Sequence, residues 1–113
     1  MPILSGTATS SGSTIITIPA GEIWQGSLSV SLGTDNNNSS LSISVSGGGT
    51  GVSPAAGTVL LATCAKVPAL GLANTWANVN TSYVQAGDAD ATLVATYSGS
   101  GSPVLRASAN GAY

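Results

Sequence analysis

No histidine occurs anywhere in this chain, and with it goes the side chain whose ordinary pKa lies closest to neutrality. Acid–base work would fall to four carboxylates, Glu22, Asp35, Asp88 and Asp90, and a serine or cysteine nucleophile would lack its usual activating base. No enzymatic activity, no catalytic residue and no cofactor are therefore expected. Basic residues are scarcer still, being only Lys66 and Arg106. Neutralising several phosphates takes more than two cations, so nucleic acid is not an expected partner. Apolar runs are broken by Gly, Ser or Thr well before the roughly 20 residues that a membrane-spanning helix needs, so no membrane role is expected either. The start, Met1-Pro2-Ile3-Leu4-Ser5-Gly6, has no basic stretch followed by a sustained apolar one, and synthesis and assembly in the cytoplasm is the expectation. The single cysteine, Cys64, stands in Leu60-Leu61-Ala62-Thr63-Cys64-Ala65, where it reads as an inert, buried, small hydrophobe.

Charged residues make up 5% of the chain, where ordinary soluble domains have about 25%. A free monomer usually keeps itself soluble with a mixed, charged surface. A surface of Ser, Thr, Asn, Ala and Gly implies that partners cover much of it. At 113 residues the chain fits one domain, large enough to fold without disulfides or metal.

The dominant pattern is a period of two. Trp24, Leu28, Val30 and Leu32 alternate with Gln25, Ser27, Ser29 and Ser31, and successive side chains of a strand point to opposite faces. Trp24 is thus expected in the core. Leu41, Ile43 and Val45 alternate in the same way with Ser42, Ser44 and Ser46, and the two runs are expected to pair as a hairpin across Gly33–Asn38. Before them, Thr14–Ile18 is a β-branched strand ended by Pro19-Ala20-Gly21. After them, Thr58–Val67 is apolar on both sides and reads as a central strand covered on two faces. Pro68–Trp76 reads as a loop, and 81–85, 91–97 and 104–107 supply three more strands. The expected fold is all-β, an antiparallel β-sandwich or jelly roll of about seven to eight short strands over residues 13–113. Residues 1–12, small and polar without periodicity, are expected as a flexible N-terminal arm. Ala20-Gly21, Ala56-Gly57 and Ala86-Gly87 each precede a strand at unequal spacing, which speaks for shared turn chemistry rather than a solenoid repeat.

Motifs with chemical meaning are few. Asp88-Ala89-Asp90 offers two carboxylates where calcium prefers six to eight oxygens, so it reads as a solvated turn and no metal site is assigned. Gly47-Gly48-Gly49 is followed by no Gly-Lys-Ser/Thr and links strands rather than cradling phosphate. Three glycosylation patterns, at Asn37, Asn38 and Asn80, read as turn residues. Trp76 is the aromatic residue expected to be exposed.

Ile18-Pro19-Ala20-Gly21-Glu22-Ile23-Trp24-Gln25-Gly26-Ser27-Leu28-Ser29-Val30, with Tyr83-Val84-Gln85-Ala86-Gly87 later, resembles small β-sandwich virion proteins of tailed bacteriophages, decoration proteins above all. The resemblance implies a structural protein of the capsid surface, commonly a homotrimer, assembled in the host cytoplasm. Its partners would be the major capsid protein or other virion subunits. Contact would be made by apolar side chains and by strand addition through arms at 1–12 and 98–113. The candidate interface residues are accordingly Ile3, Leu4, Trp76, Val104, Leu105 and Tyr113. The alternative reading is a carbohydrate-binding or tail-fibre module that recognises a host surface through exposed aromatics and Asn side chains.

Overall fold

Alternating and β-branched runs can bury one face only by stacking sheets, and the computed structural model of the protein consists of two. It describes residues 2–34, 39–65, 74–99 and 103–113. Eight strands follow in order: β1 Ile3–Ala8, β2 Thr14–Ile18, β3 Ile23–Thr34, β4 Ser39–Gly47, β5 Val59–Ala65, β6 Asn74–Gln85, β7 Ala91–Ser98 and β8 Val104–Ala112. One sheet has the order β1-β8-β3-β6 and the other β2-β7-β4-β5, with every pairing antiparallel. First pairs with last, second with seventh, third with sixth and fourth with fifth, which is the strand order of an eight-stranded jelly roll.

The core lies between the sheets. Trp24, Leu28, Val30 and Leu32 of β3 are at most 1% exposed, and so are Leu41, Ile43 and Val45 of β4. The alternation on both strands is therefore a true inside–outside pattern. The hairpin expectation is corrected, however, because β3 and β4 lie in opposite sheets. Both edges of β3 are taken, by β6 over twelve register positions and by β8 over nine. The apolar rows of β3 and β4 thus meet across the core rather than side by side.

Small residues let the sheets close on one side of Trp24. Gly26 of β3 stands opposite Gly111 of β8, and a Cβ on Gly26 would lie 2.4 Å from the Asn110 carbonyl oxygen and 2.7 Å from Cζ2 of Trp24. The indole occupies the room that Gly26 leaves. Its Nε1 donates to the Leu4 carbonyl at 3.0 Å, which satisfies the one polar atom of the ring and ties β1 to the core. Further along, a Cβ on Gly6 of β1 would fall 2.0 Å from the Ile15 carbonyl oxygen, so β1 and β2 close that side of the sandwich backbone against backbone.

Five further expectations are revised. Residues 3–8 are not an arm. They form β1, paired with β8 from Ile3↔Ala112 to Ala8↔Ala107, because the β8 edge offers unpaired backbone to a segment whose small residues fit beside it. The second supposed arm, within 98–113, is β8 itself, an inner strand between β1 and β3. The run read as a central strand is β5, at the edge of its sheet, with only Leu61 buried while Val59 is 55% exposed. Cys64 on that edge strand is exposed, not core, since it faces away from the other sheet beside Ser40. Finally, the segment read as a loop ends within β6. Residues 66–73 lie outside the described residues, and from Asn74 onward the chain pairs with β3.

Two outcomes follow. Gly111→Ala is expected to lower stability by about 1–3 kcal/mol in urea unfolding, because the methyl group has no space against the Gln25 backbone, whose oxygen would lie 2.3 Å away. Cys64 is expected to react fully with a thiol reagent such as Ellman's reagent in native buffer. Reaction only after denaturant would contradict its placement.

Candidate interaction faces

The loops β2–β3, β4–β5 and β6–β7 gather at one end of the sandwich, and the three Ala-Gly pairs fall one in each. They interlock through the backbone: Gly21 donates to the Gly87 carbonyl at 2.9 Å, and Gly87 to the Gly48 carbonyl at 2.9 Å. The two carboxylates examined for chemistry serve the same lock. Asp88 Oδ1 accepts from the Thr50 amide at 2.8 Å, and Asp90 Oδ1 accepts from the Ala20 amide at 2.9 Å. Among the described residues, no three His, Cys, Asp or Glu side chains come together in a way that could hold a metal ion. The arrangement at this end positions loops.

The largest surfaces are the two outer sheet faces, as the overall dimensions of 49 × 23 × 17 Å require of a two-layer molecule. On the β2-β7-β4-β5 sheet, Ser40, Ser42 and Ser44 point outward beside Ser98, Thr96 and Val94 of β7. None of these is charged. On the β1-β8-β3-β6 sheet, cross-strand register sorts the outward side chains into rows. Ile3, Ala112, Gln25 and Tyr83 form one row. Ser5, Asn110, Ser27 and Thr81 form the next, and Thr7, Ser108, Ser29 and Val79 the third. Arg106 follows beside Ser31 and Ala77, and Val104 stands near the far end. Arg106 is the one charged side chain in these rows.

Hydroxyls on this face satisfy one another sideways. Ser5 Oγ donates to Asn110 Oδ1 at 2.7 Å, and Ser29 and Ser108 share a hydrogen bond across β3 and β8. Groups already paired within the face lose little when water is removed from above them.

Of the six most exposed large apolar residues among the described ones, Ile3, Ile23, Val79, Tyr83 and Val104 belong to the strands of this sheet, and Val59 lies on the other. Two of the candidate interface residues, Ile3 and Val104, are each 79% exposed here, near opposite ends. The other candidates lie elsewhere. Leu105 is a core residue paired with Leu32, one position out of phase with Val104, so it points inward. Leu4, Trp76 and Tyr113 are half-buried and pack against the core. Trp76 does so because it stands opposite Leu32 on the inward side of β6. Ile23 and Tyr83 were within reach of sequence reasoning, since each is the neighbour of an inward residue, Trp24 or Val84. Val79 was not, because its stretch of β6 lacks an apolar alternation.

The β6 edge is partly closed to strand addition. Its backbone N–H groups point alternately toward β3 and away, and three of those pointing away, at Val79, Thr81 and Gln85, are capped. Gln85 exchanges both bonds with Ser53, at 2.7 and 3.0 Å. The Thr81 and Val79 amides donate to Asn80 Oδ1 at 2.8 Å and Asn78 Oδ1 at 3.0 Å. Asn78 Nδ2 also donates to the Ala62 carbonyl of β5 at 3.1 Å, which bridges the two sheets on that side. Such capping keeps an edge strand from pairing with other chains.

No family model and no curated protein matches the sequence, and no solved structure matches the fold.

Replacing both Asn78 and Asn80 by Ala is expected to cost about 1 kcal/mol for each hydrogen bond lost and to speed concentration-dependent aggregation, read as light scattering at 37 °C. Unchanged scattering would mean that the edge is protected in some other way.

Proposed function

We propose that this chain is a structural virion protein, a decoration protein that binds the outside of a tailed-phage head and braces neighbouring capsid subunits. The observation that carries the reading is that the outward rows of the two sheets hold a single charged side chain, Arg106, among the described residues. Faces of Ser, Thr, Asn and Ala with scattered Ile, Val and Tyr suit burial against protein, because no lysine or glutamate has to be desolvated or immobilised. The resemblance of Ile18–Val30 and Tyr83–Gly87 to phage decoration proteins supplies the partner class. Trp76, on which the carbohydrate-binding alternative leaned, packs against the core and offers less of its ring for stacking.

The mechanism is thermodynamic. A protein bound across two capsid subunits must lose its binding free energy before they separate, so the shell resists the pressure of packaged DNA by that amount. Contact through uncharged faces also depends weakly on ionic strength, because screening acts on charges.

Purified protein is expected to add saturably to phage heads that lack it and to raise the temperature at which they release DNA. Its affinity should change less than about threefold between low and high salt. Absence of binding, or binding abolished by salt, would overturn the proposal.

A further inference from the structure

Among the described residues, three features of the outer face of the β1-β8-β3-β6 sheet suit it to packing against another protein surface. It holds most of the exposed large apolar side chains, its single charge is Arg106, and its central hydroxyls are hydrogen-bonded to one another. We infer that this face packs against the same face of a second copy of the chain across a two-fold axis. The inference deepens the structural-protein reading by assigning one of its partners.

Area is sufficient. The strands contribute six, nine, twelve and twelve residues. At about 3.4 Å per residue and about 4.8 Å between strands, the face projects to about 640 Å². Two copies would bury about 1,300 Å² together, within the range of specific, stable interfaces at about 1,200–2,000 Å². Twisted sheets stack face to face with their strands offset by about 30°, so a second sheet fits the twist of the first.

Charge selects the occupant. With one cation and no carboxylate in its rows, the face offers nothing to guide an acidic or basic partner, and an uncharged surface is its complement. Across an axis that crosses the strands at the Ser29–Ser108 row, the two Arg106 side chains sit on opposite sides, about 14 Å apart along the strand direction. That exceeds the screening length of about 8 Å at physiological salt, so self-association brings no repulsion. A face of one character throughout suits a two-fold contact, whereas a three-fold ring joins two unlike patches. Edge-to-edge association is disfavoured by the Asn78, Asn80 and Ser53 caps.

The test is the solution mass of the full chain by sedimentation equilibrium, with melting temperatures to verify that each variant is folded. Wild type at about 50 μM, where an interface of this size is populated, should weigh twice the chain mass of 10.9 kDa. Ser27→Lys and Thr81→Lys, both on exposed outward positions of this face, should each weaken the dimer at least about tenfold, the equivalent of about 1.4 kcal/mol. Thr96→Lys on the outer face of the other sheet should leave it intact. A monomeric wild type, a trimer, or dissociation by Thr96→Lys alone would overturn the inference. The readout needs no capsid: a dimer that fails to bind heads would sink decoration and leave the face assigned, and a monomer that binds heads would do the reverse.

Discussion

β3 is paired along both of its edges, and that double pairing fixes the rest of the molecule. Once β6 and β8 are in place beside it, the period-two alternation of β3 decides which side chains of three strands look inward. Trp24, Leu28, Val30 and Leu32 then demand a second apolar layer, which β4 and β7 provide through Leu41, Ile43, Val45 and Leu93. The bulk of Trp24 demands in turn a small neighbour, which Gly26 is, and Gly111 lets the β3 backbone lie close beside β8. A slip of one residue in either pairing would put serines in the core and leucines outside, so register and burial enforce each other.

The same alternation builds the outer face. A strand that hides Leu28 and Val30 must show Ser27 and Ser29, and its partners must present whatever stands opposite. Here those are Asn110, Ser108 and Thr81, so the face is polar with Arg106 as its one charge. Hydroxyls and amides that bond sideways hold fewer water molecules than ammonium or carboxylate groups, and they lose less side-chain entropy when covered. Such a surface is poorly suited to a solitary, concentrated monomer and well suited to an assembled state. The caps on the β6 edge disfavour uncontrolled strand pairing there.

Strands with a clear period of two were legible in the sequence. The runs Thr14–Ile18, Trp24–Leu32, Leu41–Ser46 and Ala91–Tyr97 announce themselves by alternation or β-branching, and they hold most of the core. What alternation cannot convey is the partner of a strand, which is why β3 and β4, consecutive and similarly patterned, invited pairing although they face each other. β1 was hidden because Ser5, Gly6 and Thr7 carry no apolar rhythm, and its place depends on the open edge of β8. The first half of β6 was hidden because Asn74, Asn78 and Asn80 favour turns. In the structure two of these asparagines cap the edge. Cys64 followed an apolar run that suggested burial, but an edge strand leaves one side of such a run outside. Of the surface residues, Ile3 and Val104 were legible as exposed apolar positions, while Leu105 was lost to phase, since one position along β8 exchanges outside for inside.

In the proposed assembled state the β1-β8-β3-β6 face is covered. Hydroxyl-radical footprinting of the chain in assembled particles reads this directly, because Tyr83, Val79, Ile3 and Val104 all report from that face. Oxidation of these residues should be strongly suppressed in the particle relative to the unfolded chain, while Val59 on the opposite sheet sets the comparison for an exposed apolar residue. Oxidation of Tyr83 and Val79 in the particle at the rate of the unfolded chain would show the face to be bare, and would contradict the account.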